Sequence, residues 1–407
     1  MQKFWKRGAA VILAVLLTAG GYYAGVTQAR YGGSKPVTIE KGKQGVLDDK
    51  RILSQIHQFE QVIKNNYLFD YKKEDLETGL YKGLFAGLND PYSTFFTGEE
   101  FKQLMEETSG EFAGVGIVVS AGEDNLITVV SPIEGTPGEK AGILSGDKIL
   151  AIDGEAIPAS RLQEASQKMR GKVGTKVVLT IRHKDAAPTD TKEITITREM
   201  IHVKSVSSQM LEPGLAYITI SSFDENTGKD FKSSLEALQK KGAKKLVLDL
   251  RSNPGGLLAT CEQVADLLLK KATIVTTVDK KGHKEMAVSD EKSVDIPMVV
   301  LVNEGSASAS EILLGALRDN KRAVSVGTKT FGKGIVQQIY PLGKNIEDGG
   351  FKLTMAEYLT PNGEKIHKKG ITPDIVVELS KDTKGIGPRF LKTDNQLQRA
   401  IEEVKKE

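Results

Sequence analysis

Cysteine is almost absent: Cys261 is the single one in 407 residues. That excludes an intrachain disulfide and any metal site built on a cysteine cluster. Histidine is scarce as well. His57, His183, His202, His283 and His367 are the full set, and none sits in a recognisable triad context. No cluster with metal-ligand spacing, internal repeat or low-complexity tract is found. A charge excess is also missing. The 56 Lys and Arg against 53 Asp and Glu leave +3, which excludes a broad electrostatic field for nucleic acid. Cys261 lies in T-C-E-Q-V-A-D-L-L-L, a helical pattern, and reads as a small core residue.

The length suits two or three domains, and the chain divides readily. Within residues 1–30, Lys3, Lys6 and Arg7 precede an almost uncharged apolar run, Gly8 to Val26. At about 1.5 Å per residue this run is just long enough to span a bilayer as a helix. Its basic flank belongs on the cytoplasmic side, with the rest of the chain outside. T-Q-A at 27–29 is a fair cleavage site, so a cleaved signal and a retained anchor both stand, the anchor being favoured. The expected location is the cell membrane, through this segment, or secretion after cleavage. Residues 31–46 read as a polar linker. Residues 47–107 read as helical: Ile52, Ile56, Phe59 and Ile63 form one stripe, Leu76, Leu80, Leu84 and Leu88 a second. Pro91 breaks the pattern. Residues 111–197 read as a small module of short strands, including Gly114 to Ser120. Residues 200–380 alternate apolar strands with helical patterns, an α/β arrangement. Residues 381–407 are a Gly- and Lys-rich tail ending in a helix.

The chemistry concentrates between Asn303 and Gln337. Pro297 to Val302 (P-M-V-V-L-V) is a buried strand by its continuous apolar run. S-A-S-A-S follows on a turn, and Glu311 to Leu317 opens a helix that Ser308 or Ser310 is placed to cap. A serine after a strand and before a helix is exposed beside unpaired backbone N–H groups, where acyl transfer needs its nucleophile. A serine hydroxyl also needs a base. Lys333, boxed by Gly332 and Gly334 after Phe331, serves if burial or a cationic neighbour leaves it neutral. Gln337 is a neutral hydrogen-bonding partner for either. Upstream, Leu246 to Leu250 is a strand and R-S-N-P-G-G leads into the next helix. Its Gly255-Gly256 turn leaves N–H groups at a helix start, suited to an oxyanion.

N-E-G-S-A-S-A-S-E followed by F-G-K-G-I-V-Q-Q resembles the active-site signature of the carboxy-terminal processing (tail-specific) proteases. The resemblance covers nearly all of the chain after residue 30. It implies Ser308 as nucleophile, Lys333 as general base and Gln337 as support for the lysine. It also implies an oxyanion hole from Gly255 or Gly256 with the N–H of Ala309. The implied fold is a crotonase-like α/β core with an inserted β-rich PDZ domain and a helical N-terminal segment. S-P-I-E-G-T-P-G-E-K-A-G and G-D-K-I-L-A-I-D-G are similar to PDZ sequences. On that likeness Gly114, Val115, Gly116 and Ile117 form the loop that holds a peptide's terminal carboxylate. Arg161 to Arg170 flank the groove, with Arg170 either sensing the tail or solvated. The implied partners are proteins or peptides with an unblocked, apolar C-terminus, and a second copy of the chain through the N-terminal helices. The implied reaction needs no cofactor and no metal.

Two other readings stand beside this one. A membrane-tethered PDZ scaffold without protease activity requires Ser308 and Lys333 to be coincidental. A nucleotide-binding loop is suggested by G-T-K-T-F-G-K-G at 327–334. There Gly334 occupies the place of the hydroxyl that binds magnesium, and strand-forming residues follow where a helix is required.

Overall fold

The computed structural model describes residues 48–406, so the expected membrane segment 1–30 and linker 31–46 lie outside the described residues. The chain divides into two compact units. One contains the chain up to Gln103, with Asp279–Gly282 and Ile335–Ala356. The other contains Leu104–Val278, His283–Gly334 and Glu357 onward. The first unit opens with α1 (Asp49–Asn66) and α2 (Lys73–Ala86). Asp48 caps α1 by accepting the Arg51 N–H at 3.2 Å. The predicted apolar stripes are present, but Phe59 and Leu84 are 62% and 59% exposed. Past Pro91 the chain makes β1 (Thr94–Phe96), which the sequence did not signal, then α3 (Gly98–Ser109). Among the described residues no helix is long and apolar enough to cross a membrane.

The second unit continues with β2 (Glu111–Gly114), β3 (Ile117–Ala121), β4 (Ile127–Pro132), α4 (Pro137–Lys140), β5 (Lys148–Ile152), β6 (Glu155–Ala156), α5 (Leu162–Met169), β7 (Lys176–Arg182), β8 (Lys192–Thr197) and β9 (Glu199–His202). The single strand expected over Gly114 to Ser120 is in fact two strands of different sheets. At Gly116 φ is +74°, and a side chain there would lie 2.4 Å from Thr136. Thr136 Oγ1 donates to the Gly116 carbonyl at 2.9 Å and pins the turn. β2 pairs antiparallel with β9 as a two-stranded neck. β3 is an edge of the sheet β3-β4-β5-β7-β8, with β6 beside β5. The period-two pattern of β7 turns Val177, Leu179 and Ile181 inward against Ile149, Ile152 and Ile196. Each such side chain stabilises by about 1.5–3 kcal/mol. Helix α5 packs beside β3.

The rest of this unit is built on β10 (Val206–Glu212), β11 (Leu215–Ile220), α6 (Thr227–Lys240), β12 (Lys245–Asp249), α7 (Leu258–Leu268), β13 (Thr273–Asp279), β14 (Lys284–Val288), β15 (Met298–Val302), α8 (Ala309–Asp319) and β16 (Val324–Gly327). β17 (Ile335–Pro341) returns to the first unit. β18 (Gly350–Leu359) begins there and pairs antiparallel with β1. β19 (Ile375–Val376) and α9 (Asn395–Lys406) close the chain. The central sheet runs β10-β11-β12-β15-β16-β19, parallel except for β10. Its inner strands are apolar on both faces because helices cover both. Leu397, Ala400 and Val404 of α9 pack on Tyr217, Val247, Val299 and Leu301, while α6 packs on β11 and α8 on β16. The loops at the carboxyl ends of β12, β15 and β16 carry the chemistry-bearing residues.

Candidate active site

The alternate serines separate into two buried tethers and one presented hydroxyl. Ser306 and Ser310 are 0% exposed. Ser306 Oγ donates to the Leu250 carbonyl at 2.8 Å, and Ser310 Oγ to the Asn253 carbonyl at 3.0 Å. Both join the serine turn to the loop after β12. Ser308 is half-buried, stands at the N-cap of α8, and has φ +53° and ψ −114°. A non-glycine residue held there stores strain. The two buried tethers on either side hold it in place.

Gly255 meets this turn face to face. A side chain on it would lie 2.8 Å from Ser308 Cβ and 2.9 Å from Ala309 N. Its φ of +99° independently demands glycine. Its own N–H, however, is committed to Asn253 Oδ1 at 2.8 Å. Gly255 thus supplies close approach to the serine turn, and its N–H is held by Asn253. Gly256 forms a parallel bridge with Phe223, in which Phe223 makes both hydrogen bonds, from its N to Gly255 O and from Leu257 N to its O. That pattern turns the Gly256 N–H away from Phe223. Asn253, 0% exposed, also donates to the Ile220 carbonyl at 2.8 Å, locking the loop to β11.

Lys333 is joined to Ser308 through Glu311. Both oxygens of this fully buried carboxylate are used. Oε1 accepts from Thr330 Oγ1 at 2.6 Å and Gly332 N at 2.8 Å; Oε2 accepts from Lys333 N at 2.8 Å and Ser308 N at 3.0 Å. Tyr358 makes a second bridge: its hydroxyl lies 3.1 Å from Ser308 O and 2.6 Å from Lys333 O. Burial first, then the Glu311 charge, holds the Tyr358 phenol well above its usual range, so it remains a neutral donor. The Cys261 thiol, also raised by burial, donates to Ala309 O at 3.1 Å.

The glycines around Lys333 answer to packing. A side chain on Gly334 would come 2.4 Å from His367 N; Gly332 has φ +93° and lies against Lys369 and Gly370. His367 thus adjoins the lysine loop through its backbone. Gly334→Ala is expected to displace this loop and lower kcat by about 100-fold with little change in KM, measured by steady-state cleavage. Near wild-type turnover would show that the loop tolerates the shift.

Glu311, Tyr358 and Asn253 were not picked out from the sequence. Ser308-x-x-Glu311 has the capping-box spacing and would have pointed to Glu311; nothing local marks Tyr358. Gln337 lies on β17 in the first unit, where its amide nitrogen donates to Ile335 O at 3.4 Å. Gly114 ends β2 and Ile117 opens β3, leaving Val115 and Gly116 as the link. Arg170 is not simply solvated: it pairs with Glu106 and lies 4.7 Å over the Phe112 ring. After Gly327–Gly334 comes strand β17, not the helix a phosphate-binding loop opens.

Residues 214–377 match Peptidase family S41, residues 128–183 a PDZ domain, and residues 15–100 the activating protease CtpB N-terminal domain. The carboxy-terminal-processing protease of Bartonella bacilliformis is 43% identical over 332 residues, 79% of this chain and 73% of its own. The carboxy-terminal processing protease CtpA of Bacillus subtilis is 40% identical over 320 residues, 78% of this chain and 67% of its own. A solved S41 protease from Bacteroides fragilis, 15% identical, aligns with a TM-score of 0.51 over 78% of this chain and 87% of its own, a likeness of fold alone.

Proposed function

The chain belongs to the carboxy-terminal processing proteases, serine-type peptidases of family S41 with a PDZ domain, and on that premise we propose that Ser308 and Lys333 are its catalytic dyad. One observation carries this. Of the alternate serines, Ser308 is the one presented at a strained turn, and its backbone is tied through Glu311 to that of Lys333. The Lys333 amine takes the Ser308 proton as Oγ attacks the peptide carbonyl. The N–H groups of Gly256 and Ala309 receive the oxyanion. Collapse of the tetrahedral intermediate expels the amine, which takes the proton back from Lys333. Water, deprotonated by the same lysine, then adds to the acyl-serine; collapse of this second intermediate releases the acid as Ser308 Oγ takes the proton back from Lys333. Every step uses groups of the chain itself.

Substrates are protein chains whose apolar C-terminal tail adds along edge strand β3 beside α5, its carboxylate held by N–H groups of the Gly114–Ile117 segment. The core is of crotonase-like type. Residues 1–30 hold the enzyme at the membrane with its core outside the cytoplasm. The exposed Phe59 and Leu84 support pairing of two copies through the N-terminal helices.

The full-length protein, Ser308→Ala and Lys333→Arg are compared on an unstructured protein with an apolar C-terminus. Wild type should cleave it. Both variants should fold and fall by about 1,000-fold or more, because an alanine cannot attack and a guanidinium stays protonated. A Lys333→Arg variant that kept most of its activity would sink the dyad. Binding of the tail without cleavage by wild type would favour the scaffold.

A further inference from the structure

Asp224 lies in the turn between β11 and α6, remote from the serine and lysine loops in sequence, yet it is only 3% exposed. Its Oδ1 accepts from Asn226 N at 2.8 Å, Thr227 N at 3.0 Å and Thr227 Oγ1 at 3.1 Å. Its own N–H donates to Thr227 Oγ1 at 2.9 Å, and that hydroxyl meets Ser205 Oγ at 2.7 Å. The turn is thereby locked by one carboxylate oxygen. The residue before Asp224 is Phe223, whose N–H donates to Gly255 O at 2.9 Å and whose carbonyl accepts from Leu257 N at 2.7 Å. Those bonds set the backbone of Gly255–Gly256 opposite Ser308. Substituting Gly256 would be blocked by the Phe223 carbonyl at 2.1 Å, so the two segments have no slack.

The other oxygen of Asp224 faces the neck. Gly110, at φ +69°, ends the helix α3 before β2; a side chain on it would lie 2.7 Å from Asp224 Cγ and Oδ2. The last turn of α3 reaches this turn twice more, through Glu225 N to Thr108 O at 3.2 Å and Asn226 Nδ2 to Ser109 O at 3.3 Å. Contact is continuous from the α3–β2 corner, through Asp224 and Phe223, to the glycine loop beside the nucleophile.

We propose that Asp224 is a positioning residue for the oxyanion-hole loop, acting through the Phe223 backbone, and that Gly110 of the neck sets its position. The proposal rests on the dyad reading above. It makes the corner that carries the PDZ module a mechanical support of transition-state binding and leaves tail capture unaffected. It also separates the two oxygens of Asp224, since the turn needs only the acceptor Oδ1. An asparagine amide oxygen supplies that acceptor, whereas an alanine does not.

The test uses full-length protein in two readouts: steady-state cleavage of a tail-bearing protein, and the rate at which a fluorophosphonate modifies Ser308. Asp224→Ala should lower kcat and the labelling rate together by about 20- to 100-fold, with KM within about twofold. Asp224→Asn should stay within about threefold of wild type, and Gly110→Ala should lose about tenfold in kcat at unchanged KM. The proposal is overturned if Asp224→Ala or Gly110→Ala turns over like wild type, if Asp224→Asn is as slow as Asp224→Ala, or if the loss lies in KM. Should Asp224→Ala fail to fold, Gly110→Ala and Asp224→Asn decide by the same criteria. A Ser308→Ala variant that cleaves like wild type would instead sink the dyad reading, and this proposal with it.

Discussion

Glu311→Ala should abolish measurable cleavage, lowering kcat by about 1,000-fold, and should weaken the core by roughly 3 kcal/mol or more. The change removes one side chain but orphans four donors: the N–H groups of Ser308, Gly332 and Lys333, and the Thr330 hydroxyl. The Glu311 carboxylate is fully buried, so bulk water replaces the lost acceptor poorly, and each buried donor left unpaired costs about 1–3 kcal/mol. The catalytic loss follows from geometry. Ser308 and Lys333 lie on loops from different strands, and a shared carboxylate oxygen fixes one backbone against the other. A misplacement of about 1 Å between reacting groups costs about 100-fold. Glu311→Gln is more discriminating. Its oxygen serves one donor pair, but its NH2 then faces the other pair, donor against donor. It should fold more stably than the alanine variant yet remain nearly as slow. Urea unfolding and steady-state kinetics read the two effects separately. A Glu311→Gln variant with wild-type turnover would show that Tyr358 alone suffices to hold the loops.

Much of this architecture was legible in the sequence because it is written in local patterns. The run P-M-V-V-L-V is buried β15, and the serine turn lies between that strand and α8, as the spacing requires. The helix after the serine turn begins at Ala309, two residues before its expected start at Glu311. What escaped was determined by distant partners. The break between β2 and β3 comes from Thr136 pressing on Gly116, twenty residues away, and β1 exists because β18 pairs with it. In the site, Gly255 was singled out, but only the structure shows its N–H taken by Asn253. Tyr358 is a plain strand residue until the fold brings its hydroxyl to both loops. The glycines flanking Lys333 suggested a special environment for the amine. Their packing shows a more direct cause, the approach of the His367–Gly370 backbone.

The second large effect is expected at Asp394, far along the chain from Ser308 and Lys333. Asp394→Ala should destabilise the core by about 3–5 kcal/mol, because it leaves part of a buried guanidinium uncompensated. Arg251 follows β12 by two residues and leads into the loop that carries Asn253 and Gly255. Its Nη1 and Nη2 donate to Asp394 at 2.9 and 2.8 Å, its Nε and Nη2 to Asp249 at 3.0 and 2.6 Å, and Nη1 also to Gln396 Oε1 at 3.1 Å. The Arg251 and Asp394 side chains are 0% exposed. Burial by itself would lower the guanidinium's pKa, but hydrogen bonds and charge from Asp249 and Asp394 more than reverse it, so Arg251 stays ionised throughout the working pH range. Asp394 also accepts Gly387 N at 2.7 Å and Leu397 N at 3.0 Å, in the first turn of α9. The network therefore fastens the C-terminal helix to the loop beside Ser308. Buried ion networks often add little over an apolar replacement, and this divides stability from function. Replacing Asp249, Arg251 and Asp394 together by Leu, Met and Leu should recover part of the stability lost in Asp394→Ala, since no buried charge is left uncompensated although Tyr217 Oη, Gly387 N and Leu397 N lack their acceptors. It should not recover turnover, because Arg251 N loses its acceptor, Asp249 Oδ1, at 3.0 Å and the loop loses its register. Denaturant midpoints and kcat for the single and triple variants measure this. A triple variant that regained both would reduce the network to a structural pin with no bearing on the loop.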